Sequence, residues 1–282
     1  LIEGSALVLT ARAVDDFMKN RIIRIICIVI AVACFGYAVW YYYQMKRTQD
    51  DVDKLASRVE APNSSHQVVP IEETPQPEEA EEVDWQPVIL EEFKPLLTKN
   101  QNIIGWLTIN GTDINYPVMK SLAGNGEYYL NHNFDQQEDR NGSIFMDDRC
   151  DVIKPTVNYI IYGHNMKSGK MFGNLDEYKS EAYARAHPTI TFNTIYDYGT
   201  YTVMAAFESR VYKDKDIGFR YYDFIDPRDE LEFMTGVDNI KALSMYDTGV
   251  DAQWGDRLLM LSTCDYEQDN GRFVVVCKLT GY

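Results

Sequence analysis

The run Leu258-Leu259-Met260-Leu261-Ser262-Thr263-Cys264 ends an apolar stretch on a cysteine, and Arg272 follows eight residues later. Arg272 opens a second apolar run, Phe273-Val274-Val275-Val276, and the intervening loop, Asp265 to Gly271, contains Asp-Asn-Gly. Two apolar runs around such a loop predict a β-hairpin. Neighbouring strands lie about 4.8 Å apart, so the hairpin sets the Cys264 thiol beside the Arg272 guanidinium. A fixed positive charge near a thiol favours the thiolate, its nucleophilic form. A nucleophilic cysteine also needs a base, and the chain has four histidines. His66 falls in a Pro- and Glu-rich stretch, His187 precedes Pro188 at a turn, and His132 sits in a polar-aromatic segment with no strand end. His164 differs. It follows the strand pattern Val157 to Tyr162 and then Gly163, which lets the chain turn sharply and present a side chain at a strand end.

Tyr162-Gly163-His164-Asn165-Met166, Leu261-Ser262-Thr263-Cys264 and Gly271-Arg272-Phe273 together resemble the three signatures of the sortases, membrane-anchored cysteine transpeptidases of Gram-positive bacteria. The resemblance covers roughly residues 85 to 282. A helical segment Pro87 to Lys99 and a long insertion before the cysteine strand make it most similar to class B. The resemblance implies a closed eight-stranded β-barrel with inserted helices. It assigns catalysis to His164, Cys264 and Arg272, with Asn131, Ser262 and Asp265 lining the substrate groove. Asn131 equally suits a turn cap, and Asp265 a solvated loop. Thr263 reads as strand filler.

The elements that must carry this site follow from composition. Many short apolar strands between turn signals suggest a barrel or sandwich. Strands are expected over Ile103–Ile109, Ile114–Pro117, Gly142–Met146, Val157–Tyr162, Thr189–Phe192 and Thr200–Phe207, before the Cys264 hairpin. The excursion from Glu208 to Arg257 holds a predicted helix, Pro227 to Leu243, with apolar positions Leu231, Phe233, Met234, Val237 and Ile240. A loop of that length beside a site often walls a groove; the alternative is a helix packed on the barrel.

Ahead of the domain, Ile25 to Tyr43 are nineteen positions without a charge, about 28 Å as a helix. Lys19, Arg21 and Arg24 precede the run and an aromatic cluster, Trp40 to Tyr43, closes it without a cleavage site. Residues 25–45 therefore read as an uncleaved signal-anchor with residues 1–24 cytoplasmic and the domain outside the cell. Met18-Lys19-Asn20-Arg21 resembles a native start, leaving residues 1–17 as an upstream extension or a short tail. Residues 46–84 hold eleven acidic and four basic residues with four prolines, which predicts an extended acidic spacer. From Trp85 onward there are 19 basic and 29 acidic residues, a balance that disfavours nucleic acid.

Five cysteines leave at least one unpaired. Cys27 and Cys34 lie in the apolar helix, and a Cys150–Cys277 disulfide is open to an extracytoplasmic domain. No spacing suits zinc, and neither a metal nor a cofactor is implied. The resemblance implies that Cys264 forms a thioester with the C-terminal sorting signal of a secreted protein. A cell-wall precursor amine then resolves it. Two alternatives stay open: a pilin-polymerising enzyme using a lysine side chain, and a surface binding domain that no longer turns over. A papain-like hydrolase is disfavoured, because there the cysteine precedes the histidine and opens a helix.

Overall fold

The computed structural model describes residues 3–59, 87–120, 124–213, 215–265 and 270–281. The chain divides into two compact units, Leu1–Asp53 and Lys54–Tyr282. Helix α1 (Glu3–Val59) lies in the first as far as Asp53, and it contains a stretch long and apolar enough to cross a membrane, with mean hydropathy 2.3 over eighteen residues and none of that window buried. Side chains such as Val32, Phe35 and Tyr42 are exposed along it. The helix outruns the expected start of the spacer at Lys46. Leu55 and Ala56, in its last turn, join an apolar cluster with Phe93, Leu96, Ile103, Trp106 and Met119. The acidic count of this stretch obscured the apolar positions Val52, Leu55 and Ala56, which fall at helical spacing. Residues 60–84, the rest of the expected spacer, lie outside the described residues.

The second unit is built from eight strands rich in Val, Ile, Leu and Tyr. They are β1 (Ile103–Thr108), β2 (Asn115–Met119), β3 (Ile144–Met146), β4 (Asn158–Tyr162), β5 (Thr189–Thr194), β6 (Thr200–Arg210), β7 (Leu258–Asp265) and β8 (Gly271–Gly281). They close into a barrel in the order β1-β2-β3-β4-β7-β8-β6-β5. Closure removes the open sheet edges that would otherwise template aggregation. On β7, every residue from Leu258 to Thr263 is buried, as are Phe273 to Cys277 on β8. Both faces of these strands are covered, which is why they read as continuous apolar runs rather than alternating ones.

Two pairings set the site. β4 and β7 run parallel in the register Tyr162 with Ser262, so the same ends of the two strands lie side by side. The crossover between them carries α3 (Glu181–Ala186), β5, β6 and α4 (Glu230–Leu243). β7 and β8 form the expected hairpin, with Cys264 directly opposite Arg272.

Two expectations are corrected, and the open question of a Cys150–Cys277 disulfide is answered. The helix over Pro87–Lys99 is only a 3-10 turn, Glu91–Phe93, followed by α2 (Lys94–Lys99). Leu90 is extended and its amide donates to the Ile195 carbonyl at 2.9 Å, which holds the preceding residues out of a helix. In α4, Phe233, Val237 and Ile240 are buried but Leu231 is 77% exposed, and Gly236 takes a core position in its place. Cys150 and Cys277 are both free. Cys277 pairs in register with Leu259 and Val203, while the Cys150 thiol faces the Asn158 carbonyl.

Candidate active site

His164 lies two residues past the end of β4, and the register of β4 on β7, continued by two, brings it level with Cys264. A hundred residues apart in sequence, the two therefore meet at one end of adjacent parallel strands, about 4.8 Å apart at the backbone. Hydrogen bonds continue the pairing past the ladder. The Gly163 amide donates to the Ser262 carbonyl at 3.2 Å, and the Thr263 hydroxyl donates to the Gly163 carbonyl at 2.8 Å. Thr263 is thus more than strand filler: it ties β7 to the turn that carries His164. Gly163 permits that turn, since a Cβ there would lie 2.7 Å from the buried Phe172 ring.

Arg272 shares a strand face with Cys264, because directly opposed residues of an antiparallel pair point the same way. Its Nη1 donates to the Gly271 carbonyl at 2.8 Å, which steadies the guanidinium. His164, Cys264 and Arg272 all line one cavity of about 490 Å3, together with Leu130, Tyr162 and Tyr221.

The imidazole is oriented from outside the strands. His164 Nε2 lies 2.8 Å from the Leu130 carbonyl oxygen. A carbonyl only accepts, so Nε2 carries a hydrogen and Nδ1 is left to gain and lose the proton. Leu130 closes the 3-10 turn Tyr128–Leu130, and Gly142 packs against it in the left-handed region, at φ +59°. A Cβ on Gly142 would fall 2.4 Å from the Leu130 oxygen, so only glycine lets that carbonyl sit where it meets His164.

The far wall comes from the crossover. Tyr221, 1% exposed, bonds the Ser262 hydroxyl at 2.8 Å. Burial pushes the Tyr221 phenol up to about 12, against opposing pulls from the Ser262 bond and from Arg272, so it stays neutral. Arg149 braces this wall. It bonds the Asp147 carboxylate at 2.9 Å, Asp223 at 3.2 Å and the Tyr222 carbonyl at 2.6 Å. The Tyr162 hydroxyl donates to Asp147 at 3.0 Å. Burial favours protonating Asp147, but the bonds and charge of Arg149 outweigh it and hold the carboxyl below its ordinary range.

Of the expected groove residues, Ser262 borders the cavity with its hydroxyl committed to Tyr221. Asn131 is exposed and caps the 3-10 turn, while its neighbour Leu130 faces the cavity. Asp265 ends β7 opposite Gly271, and its side chain lies outside the described residues. His132 stacks on Tyr128 with centroids 3.9 Å apart, and His187 Nδ1 bonds the Asn110 carbonyl, so both serve local structure. His66 lies outside the described residues. Sequence reasoning missed Tyr221, Arg149 and the Leu130 carbonyl. The aromatic run Phe219 to Phe224 was a usable signal for the first; a main-chain carbonyl has none.

Known proteins resemble this chain in sequence and in fold. The family model for the sortase domain matches residues 107–280. Sortase B of Listeria monocytogenes is 35% identical over 193 residues, covering 68% of this chain and 75% of its own length. Sortase B of Staphylococcus aureus is 30% identical over 257 residues, covering 90% and 94%. A crystal structure of sortase B from Bacillus anthracis superposes with a TM-score of 0.65 at 29% identity, covering 86% of this chain and 98% of that one. A Staphylococcus aureus sortase B–substrate complex superposes at 0.61 with 30% identity, covering 68% and 86%. With a family model spanning more than half of the chain and relatives named sortase B on both measures, the chain belongs to the sortase family, in its class B branch, and is a cysteine transpeptidase.

Proposed function

We propose that the domain cleaves a C-terminal sorting signal on secreted proteins and transfers the new carboxyl end to an amine of the cell-wall precursor. The Cys264 thiol passes its proton to His164, its sulfur attacks the scissile carbonyl carbon, and Arg272 donates to the oxyanion that develops. A fixed planar cation suits that task. The C–N bond then breaks as His164 delivers a proton to the leaving amine, leaving a thioester on Cys264. The incoming amine attacks the thioester, gives its proton back to His164 and expels the sulfur. The single observation that carries this reading is the convergence of His164, Cys264 and Arg272 on one cavity from two strand ends and a hairpin.

The amine step draws on relatives: among solved sortase B structures is one complexed with triglycine. Anchoring by residues 25–45, with the N-terminus cytoplasmic and the domain outside, fits the exposed apolar stretch of α1. The test is product analysis with the full chain in detergent micelles, given Asn-Pro-x-Thr and Leu-Pro-x-Thr-Gly peptides with and without triglycine. Ligated peptide formed only with the amine is expected. Hydrolysis alone at every amine concentration, or no cleavage of any peptide, contradicts the reading.

A further inference from the structure

We propose that Asn165 is a positioning residue that locks the His164 turn onto the nucleophile strand, and that Asp176 sets the orientation of its amide. The inference rests on the transpeptidase reading above. Asn165 is 8% exposed, and its Nδ2 donates to the Cys264 carbonyl at 2.9 Å and to the Asp176 carboxylate at 2.7 Å. An amide nitrogen carries two hydrogens, and each has its acceptor here. An ionised carboxylate only accepts. Asp176 therefore turns the NH2 of the amide, rather than its oxygen, toward Cys264.

The two flanks of His164 are held to β7 by different means. On one, Gly163 is held by the Ser262 carbonyl and the Thr263 hydroxyl. On the other, the Asn165 amide reaches the Cys264 carbonyl. Beyond Asn165 the chain turns back, with a bridge from Asn165 to Met171 and the Phe172 amide on the His164 carbonyl at 3.0 Å. Asn165 is therefore the point at which this turn grips the carbonyl of the nucleophile itself. Removing the grip weakens one of the two anchors and lets His164 drift relative to the thiol. Asn165 does not line the cavity, so it acts through His164 and Cys264 and not on substrate.

The test compares Asn165→Ala, Asp176→Ala and Asp176→Asn in the full chain in detergent micelles. A misplacement near 1 Å costs on the order of a hundredfold in rate. Asn165→Ala and Asp176→Ala are expected to lower kcat by roughly ten- to a hundredfold with KM within about twofold. Asp176→Asn restores most of the loss, because its amide oxygen still accepts from Asn165. Alkylation of Cys264 by iodoacetamide, followed by peptide mapping, should slow in the same two variants and recover in the third. That readout needs no peptide substrate. If sorting peptides are not turned over yet alkylation follows this pattern, the transpeptidase reading fails and the positioning role stands. Wild-type kcat and alkylation in both alanine variants overturn the proposal, as does a raised KM at unchanged kcat. Should Asn165→Ala not fold, equal impairment of Asp176→Ala and Asp176→Asn overturns it.

Discussion

Replacing Gly142 by alanine tests how far catalysis depends on one main-chain carbonyl. Gly142 sits at φ +59°, where a side chain costs about 1–2 kcal/mol. Its new Cβ would fall 2.4 Å from the Leu130 oxygen, so the carbonyl must retreat by at least about 0.6 Å to reach the 3.0 Å floor of real Cβ contacts. The bond from that oxygen to His164 Nε2 is 2.8 Å, and the same retreat along its line stretches it to about 3.4 Å, beyond normal hydrogen-bond range. Losing such a bond costs about 0.5–1.5 kcal/mol, roughly twofold to twelvefold, before any effect of a tilted imidazole. Gly249→Ala is the control. It shares the left-handed backbone, at φ +73°, with no atom within 4 Å of the added carbon. Peptide transpeptidation by both variants, with melting temperatures, separates the effects. Both should lose stability, but only Gly142→Ala should lose kcat, by about tenfold or more. Equal kcat in the two variants refutes the argument.

Arg272→Lys keeps the charge but loses the planar fork, and kcat should fall by about a hundredfold with little change in KM; wild-type kcat would remove Arg272 from the oxyanion role. Asp147 is held below the ordinary carboxylate range, so its contribution to stability is complete above the unfolded value near 3.9 and disappears as pH falls through the lower folded value. Asp147→Asn should therefore be less stable at neutral pH, with the gap closing only below about pH 4 in acid-melting curves; a gap independent of pH refutes this. Cys150 and Cys277 are buried and free, and burial pushes both thiols up, that of Cys150 to about 12. In the folded domain, iodoacetamide should modify Cys264 and spare these two, read by peptide mapping; a Cys150–Cys277 cross-link on mapping without reductant would contradict it.

The parts of the site legible in the sequence were those fixed by local geometry. Seven residues between Cys264 and Arg272, forming a turn-rich loop, determine a hairpin register, and that register is observed. The strand before His164 was equally plain from its β-branched and aromatic residues. What brings His164 to Cys264 is different: a parallel β4–β7 pairing whose crossover spans about half of the domain, which no local pattern announces. The family signatures supplied that link. Contacts through main-chain atoms were illegible, since Leu130 reads as an ordinary apolar residue and it is its carbonyl that meets His164. Which of two neighbours faces the cavity is equally hidden: Leu130 lines it, beside the exposed Asn131. Leu231 was misjudged for another reason: Gly236 contributes no apolar side chain, yet its lack of a Cβ lets the helix approach the Phe224 ring.

The most direct test of the account is intact-protein mass of the full chain mixed with a sorting-signal peptide in the absence of amine, followed by peptide mapping. The predicted result is an acyl adduct on Cys264 that hydroxylamine removes and that Cys264→Ala never forms. An adduct on another residue, or turnover that survives Cys264→Ala, would contradict it.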